Sequence, residues 1–479
     1  MSPSSNAARV SSRSSEPNAL RWLSRGLSCL VLGLGLYATV LSILIVSRYH
    51  SSGLWSDQWE LVGKLMRTGG KLPLSELWAQ HNEHRVPVAW ILGLLDLRLF
   101  GGRNISLSVE ILLVQAAGAL LLIAMFRRFS GGRGPILTIA GLALFCAFTP
   151  LQMENFTWGF QVTFVLAALA GPAAFAAAIF HSAAVSSDTR RWISLPLVLS
   201  LAAAFTAECG LAAGLTVWPI LILLGFALRF PVKSQILTAT VAIAAVALYF
   251  TGYHSPSYHA DPLQTLRHPG AIVKYVVTYF GCTWDGTLPS SSSVPTVSEL
   301  LTGLAILLAL AGSARLGMRR KPPADRLQCF LAANMLFAIA TAVLTSLGRL
   351  SFGIDQATSG RYQTIALLFW ASLAAILLVA MTASRRRGFA VVALQIVLAL
   401  LMLSAGPRYM EMEQFAQDQR DTVAAGYAAL VNPHPDLEAL HNLYPKPELL
   451  DRYSYLRSHG LGAPASEVAR QGSHDEKSR

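Results

Sequence analysis

The stretch LSCLVLGLGLYATVLSILIV, Leu27–Val46, carries no charged side chain and is as long as the roughly 20 residues a helix needs to cross a bilayer core. Arg9, Arg13, Arg21 and Arg25 precede it and no small-residue cleavage pattern follows, so it reads as a signal anchor kept in the mature chain. Outward from it the pattern repeats. Of the 479 residues, 53% are hydrophobic and 13% charged, where a soluble domain carries about 25% charged residues. The fold class expected is an all-α integral membrane protein.

Short basic connections set the expected orientation, because cytoplasmic loops hold Lys and Arg. They fall at Arg127/Arg128/Arg133, Arg190/Arg191, Arg229/Lys233, Arg315/Arg319/Arg320/Lys321/Arg326 and Arg385/Arg386/Arg387. With all of these inside, crossings fall near 27–47, 105–126, 135–150, 161–183, 192–208, 209–228, 234–251, 298–314, 327–347, 362–382 and 388–405. That makes eleven transmembrane helices, with the N-terminus cytoplasmic and the C-terminus extracytoplasmic. The net charge of +12 then sits on inside loops facing anionic headgroups, so nucleic-acid binding need not be invoked. Nearly every carboxylate lies outside, and carboxylate chemistry is expected there.

The chain divides into a cytoplasmic tail (1–26), a polytopic membrane domain (27–405) and an extracytoplasmic helical tail (406–479) whose last fifteen or so residues read as disordered. Two long outside loops, 48–104 and 252–297, interrupt the membrane domain. In the first, Asp57–Met66 has apolar residues at helical spacing and is expected to lie on the membrane surface. The apolar run 86–100 contains Asp96 and Arg98 and reads as interfacial or re-entrant. The second loop holds a possible surface helix at 271–280. Cys29, Cys146, Cys209, Cys282 and Cys329 are scattered, with no metal or disulfide spacing.

Polar residues gather at the outer ends of the spans. They are Asp57 in WSDQW, His81, Glu83, His84 and Arg85 in HNEHR, Glu154 and Asn155 in QMENFTWGFQ, Glu208 in TAECG, and Arg349, Asp355, Arg361 and Tyr362 in GRLSFGIDQATSGRY. Ionisable residues at that depth are default functional candidates. A group transfer at such a boundary would need a base near an acceptor hydroxyl and cations near an anionic leaving group such as phosphate. Asp57 suits the first role, and Arg361 or Arg349 the second, since guanidinium holds phosphate oxygens bidentately.

Each has a structural alternative. Asp57 caps the helix after it; the HNEHR cluster is a network that only shapes its loop; Glu154 and Glu208 stabilise tight turns. Arg361 with Tyr362 anchors at the interface, and Trp55, Trp59 and Trp78 form an aromatic belt. His81, Glu83 and His84 as metal ligands lack the spacing of a HExxH pair.

A first span closely followed by an outside Asp, a long first loop with two surface helices, and then short-looped spans resembles the GT-C superfamily of membrane glycosyltransferases. DQW, HNEHR, ENFTWGFQ and SGRY look like motifs of its uncharacterised bacterial members, over roughly residues 20–405. The resemblance implies a polyprenyl-phosphate sugar donor, a saccharide acceptor and an inverting transfer with Asp57 as base. Arg361, Arg349 and Tyr362 would hold the donor phosphate, while His81, Glu83, His84, Arg85, Glu154 and Asn155 line the cavity. It also implies a bacterial inner membrane, with the site facing the periplasm or cell exterior. No Asp-x-Asp pair is present, so no metal cofactor is expected. Rival readings are a transporter or flippase for a lipid-linked saccharide, and a non-catalytic subunit of a polysaccharide assembly complex.

Overall fold

The computed structural model describes residues 18–131, 135–187, 192–256, 262–285, 296–318, 325–382 and 387–473. Among them every regular element is helical. Helix α1 (Asn18–Arg48) leads into α2 (Gln58–Arg67), α3 (Leu74–Trp78) and α4 (Pro87–Leu99). Then come α5 (Ile105–Phe129), α6 (Ile136–Phe148), α7 (Met153–Thr157), α8 (Val162–Ser187), α9 (Leu195–Glu208), α10 (Val217–Ala227) and α11 (Val232–Phe250). Helices α12 (Pro262–Thr265), α13 (Pro269–Asp285), α14 (Val297–Met318), α15 (Arg326–Arg349), α16 (Gln363–Thr382) and α17 (Arg387–Ser404) follow. The chain closes with α18 (Arg408–Val431), α19 (Leu437–Leu443), α20 (Leu449–Ser458) and α21 (Ala465–Ser473).

Among the described residues, eight helical stretches are long and apolar enough to cross a membrane, or nine if α17 and α18, which meet at 41°, count as one. The expected crossings 192–208 and 209–228 appear instead as the shorter α9 and α10. Their joint is very tight: a Cβ on Gly214 would lie 2.1 Å from the Ala207 carbonyl oxygen. Helix α1 is held by close backbone approach to α6, where a Cβ on Gly35 would lie 2.2 Å from the Gly141 carbonyl oxygen. Small residues let spanning helices meet this way. Ser28, Thr138 and Gln395 add a buried polar knot between α1, α6 and α17, with the Gln395 amide donating to both hydroxyls at 2.9 and 2.8 Å.

Two apolar clusters form. One lies within the long helices. The other joins the end of α1 with α2, α4, α7 and the C-terminal helices α18–α21 around Trp59, Trp90, Phe156, Tyr427 and Leu443. The first loop and the tail therefore share one core, and α2 buries its apolar face there, against α4 and α20.

The structure bears on three expectations. The last fifteen residues are not wholly without structure, since α21 packs on α18 and buries Val468 completely; 474–479 lie outside the described residues. The segment 271–280 belongs to the longer α13. It packs against α14, α15 and α16, burying Tyr275, Tyr279 and Phe280. The run 86–100 forms the 13-residue α4, too short to span. Its buried Asp96 accepts from the Asn104 amide at 3.0 Å and the Ser106 hydroxyl at 2.8 Å, which starts α5. The basic segments around Arg133, Arg190/Arg191, Arg319–Lys321 and Arg385/Arg386 lie outside the described residues, as do 257–261 and 286–295.

Candidate functional site

HNEHR folds as a tight turn. The His81 and His84 backbones exchange both hydrogen bonds at 2.8 Å, and Asn82 takes φ 51°, a left-handed conformation its short polar side chain tolerates. The turn separates its two histidines into different neighbourhoods.

His81 lies edge-on to Trp90 and Phe160, with its Nε2 3.7 Å from an Asp57 carboxylate oxygen. Asp57 stands at the N-cap position of α2, but its side chain makes no capping hydrogen bond. The carboxylate is a third exposed and faces His81 instead.

His84 and Glu83 point to the other side. His84 Nδ1 accepts the Ala212 amide at 3.1 Å, which leaves Nε2 to carry the proton 3.4 Å from Glu83 Oε1. The same Glu83 oxygen forms an ion pair with Arg349 at the end of α15. The Tyr249 hydroxyl donates to the Glu83 carbonyl at 2.8 Å, fixing the turn against the end of α11.

Arg361 belongs to a second ion pair, with Glu154 at 3.0 Å. Glu154 also accepts from the Ser359 hydroxyl and the Arg361 amide, each at 3.0 Å, and Ser359 in turn accepts from Arg361 Nε at 3.0 Å. Asn155, fully buried, donates to the Arg361 carbonyl at 3.2 Å and the Thr364 hydroxyl at 2.9 Å. The guanidinium lies 5.8 Å from the Trp158 ring centre. Glu154 and Asn155 thus shape the SGRY segment from α7. Tyr362 stacks on Tyr279 with ring centres 5.1 Å apart.

These elements enclose a cavity of about 760 Å³. Glu83, His84, Arg349, Arg361 and Tyr362 line one part of it, and Phe164, Leu211, Leu215, Phe250, Leu344 and Ile365 give apolar walls. It follows α15 from Arg349 back to Thr341, roughly 12 Å at 1.5 Å per residue. Phe250 and Leu344 keep exposed surface as well as lining the cavity. Tyr253, beyond α11, joins the wall, and burial followed by the Glu83 charge raises its phenol above the usual range.

Asp57, His81, Glu154, Asn155 and Arg85 are not among the lining residues. Arg85 is a strut. Its buried guanidinium donates to the Tyr249 carbonyl at 2.6 Å, the Thr251 carbonyl at 2.5 Å and the Trp78 carbonyl, tying the first loop to the open C-terminus of α11. Glu208 is buried and accepts from Trp218 Nε1 at 2.7 Å. Sequence reading missed Tyr279, Ser359 and Tyr249. For Tyr279 a signal existed, since KYVVTYFG places Tyr275 and Tyr279 one helical turn apart on one face. Among the described residues, no three His, Cys, Asp or Glu side chains gather as a metal-binding set.

Comparison with protein-family models, with curated proteins and with solved structures finds no match for this chain.

Proposed function

We propose that this chain is a membrane glycosyltransferase that moves a monosaccharide from a polyprenyl-phosphate donor to an extracytoplasmic glycan or lipid-linked acceptor. The observation that carries the reading is the amphipathic cavity: two guanidinium groups, Arg349 and Arg361, share with Glu83 and His84 a chamber that also has apolar walls from Phe164, Leu211, Leu215, Phe250, Leu344 and Ile365. A ligand with an anionic head and a hydrocarbon chain fits such a chamber by charge and by apolar burial. In this reading Asp57, which lies off the cavity wall and across the HNEHR turn from Glu83 and His84, is the base for the acceptor hydroxyl, and Arg349 and Arg361 hold the departing phosphate. With α9, α10 and α17 counted as crossings the chain makes the eleven spans of the basic-loop assignment, N-terminus inside and tail outside. The site then faces the outside of a bacterial inner membrane, with α2 near the headgroups.

In the test, purified protein in nanodiscs is given polyprenyl-phosphate sugars and glycan acceptors. Asp57→Asn should keep polyprenyl-phosphate binding and lose transfer by at least 100-fold, in the range of a lost general base. Arg349→Ala with Arg361→Ala should lose the binding itself. Undiminished transfer by Asp57→Asn sinks the assigned base.

A second reading, a transporter of lipid-linked saccharides, is favoured by the short α9–α10 pair with Glu208 buried at its break, since transporters build sites at interrupted helices. Substrate movement in proteoliposomes with no new glycosidic bond would select it.

A further inference from the structure

We propose that the C-terminal helical unit, residues 408–473, is the positioning element for Asp57, holding the turn that presents this carboxylate to His81. The inference rests on the reading of Asp57 as the base.

Direction at Asp57 does not come from its own helix, because the side chain makes no capping bond to α2. It is set by the residues just before it, and the tail takes one hydrogen bond from each of three of them, while Gln58, Asn104 and Trp158 make further contacts with this turn. The Leu54 amide donates to the Tyr427 hydroxyl of α18 at 2.8 Å. Trp55 Nε1 donates to the Asn442 carbonyl at 3.1 Å, and the Ser56 amide to the Leu443 carbonyl at 2.9 Å. Ser56 itself has φ 52°, a left-handed conformation rare outside glycine, so the surroundings must impose it. That imposed residue directly precedes Asp57.

Beyond Asp57 the grip continues. Glu60, one turn into α2, accepts from the Tyr444 hydroxyl at 2.5 Å, pairs with Lys446, and lies 3.4 Å from the Arg452 guanidinium. Arg452 also donates to the Trp59 carbonyl at 2.7 Å, and it lies so close to Gly63 that a Cβ there would be 2.9 Å from its guanidinium carbon. Residues on both sides of Asp57 are therefore fixed to α18–α20, while among the described residues the carboxylate meets His81 of the hairpin. Among the described residues, His81 meets the Asp57 carboxylate, the Asn82 amide at 3.4 Å, and the rings of Trp90 and Phe160. It is a natural reporter of where Asp57 points. The Arg349 and Arg361 end of the cavity makes none of these hydrogen bonds and meets the turn through Trp158, whose ring centre lies 5.0 Å from that of Trp55 and 5.8 Å from the Arg361 guanidinium. Neither substitution below touches that ring contact, so binding of the donor phosphate should survive them.

Two substitutions loosen the grip without emptying the core. Tyr427→Phe removes the acceptor of the Leu54 amide but keeps the ring beside Trp59. Glu60→Gln removes the charge shared by Lys446 and Arg452. The full-length chain in nanodiscs, with ¹³C-labelled histidine, is read three ways: the His81 ring resonance at one fixed pH (assigned by its loss in His81→Gln), binding of polyprenyl phosphate alone, and kcat and KM for transfer. Both variants should move the His81 resonance toward its position in Asp57→Asn and leave polyprenyl-phosphate binding within twofold. They should lower kcat about tenfold at unchanged KM, as a small misplacement of a reacting group does. A wild-type His81 resonance with wild-type kcat in both variants overturns the proposal, as does loss of polyprenyl-phosphate binding in step with the shift, which would mean general loosening. If the wild type transfers no sugar, the base reading falls. The His81 resonance in the two variants then decides positioning by itself.

Discussion

Asn155 has no exposed surface and uses its amide on the Arg361 carbonyl and the Thr364 hydroxyl. Replacing it with Ala leaves a buried carbonyl and a hydroxyl without that donor, at a cost of roughly 1–3 kcal/mol. Asn155→Ala should lower the thermal midpoint in detergent and, by releasing the SGRY segment, weaken polyprenyl-phosphate binding. A variant with both at wild-type values would mean the segment holds itself. Sequence reading marked Glu154 and Asn155 as candidates from their place in a brief outer connection. It did not show that they brace Arg361, because that partner lies 207 residues further along the chain. Arg85 was hidden for the same reason, its acceptors being the carbonyls at the end of α11. Asp57 was half legible. Its position before a helix was plain from DQWEL, but its partner, His81, is decided by a hairpin turn that five polar letters do not spell out.

At the scale of elements, α1 was the most legible, since an uncharged run of that length has few other uses. What it packs against was not, because Gly35 and Gly141 look like any glycines in an apolar helix. At their crossing a side chain on either would drive into the other backbone. Gly141→Val should therefore separate α1 from α6 at a cost of at least 1–3 kcal/mol, read as lost folded yield and a lower thermal midpoint; Gly118→Val, whose nearest neighbour is 4.0 Å away, is the control expected to be mild. What α13 packs against was not legible, for a physical reason. AIVKYVVTYFG is equally amphipathic whether its aromatic face meets headgroups or a groove between α14, α15 and α16. Helix α21 escaped because its buried contact depends on Val468, set in an otherwise polar segment.

Over the whole molecule the first loop and the tail, apart by several hundred residues, form one outer layer, and Glu60 is its main electrostatic tie. Burial alone would push its carboxyl up, but hydrogen bonds from Lys446 and Tyr444, with the Arg452 charge, hold it down at about 2, below its ordinary 4.5. A carboxyl depressed by folding contributes stability that is complete above its unfolded value and is lost as pH falls through its folded one. The denaturation midpoint of the wild type should exceed that of Glu60→Gln by a constant margin above pH 4.5, shrinking toward zero as pH approaches 2. A margin that persists at pH 2 would assign the tie to packing alone.

Phe250 and Leu344 line the large cavity and keep exposed surface, and on the proposed reading this wall is the one that meets acyl chains. A ligand that enters through it travels in two dimensions, and its effective concentration is a mole fraction of the surrounding lipid. Diluting proteoliposomes in buffer should leave the turnover rate per protein unchanged. Adding inert phospholipid at a fixed amount of donor should lower it in proportion until the donor no longer limits, as for an enzyme whose reservoir is a surface.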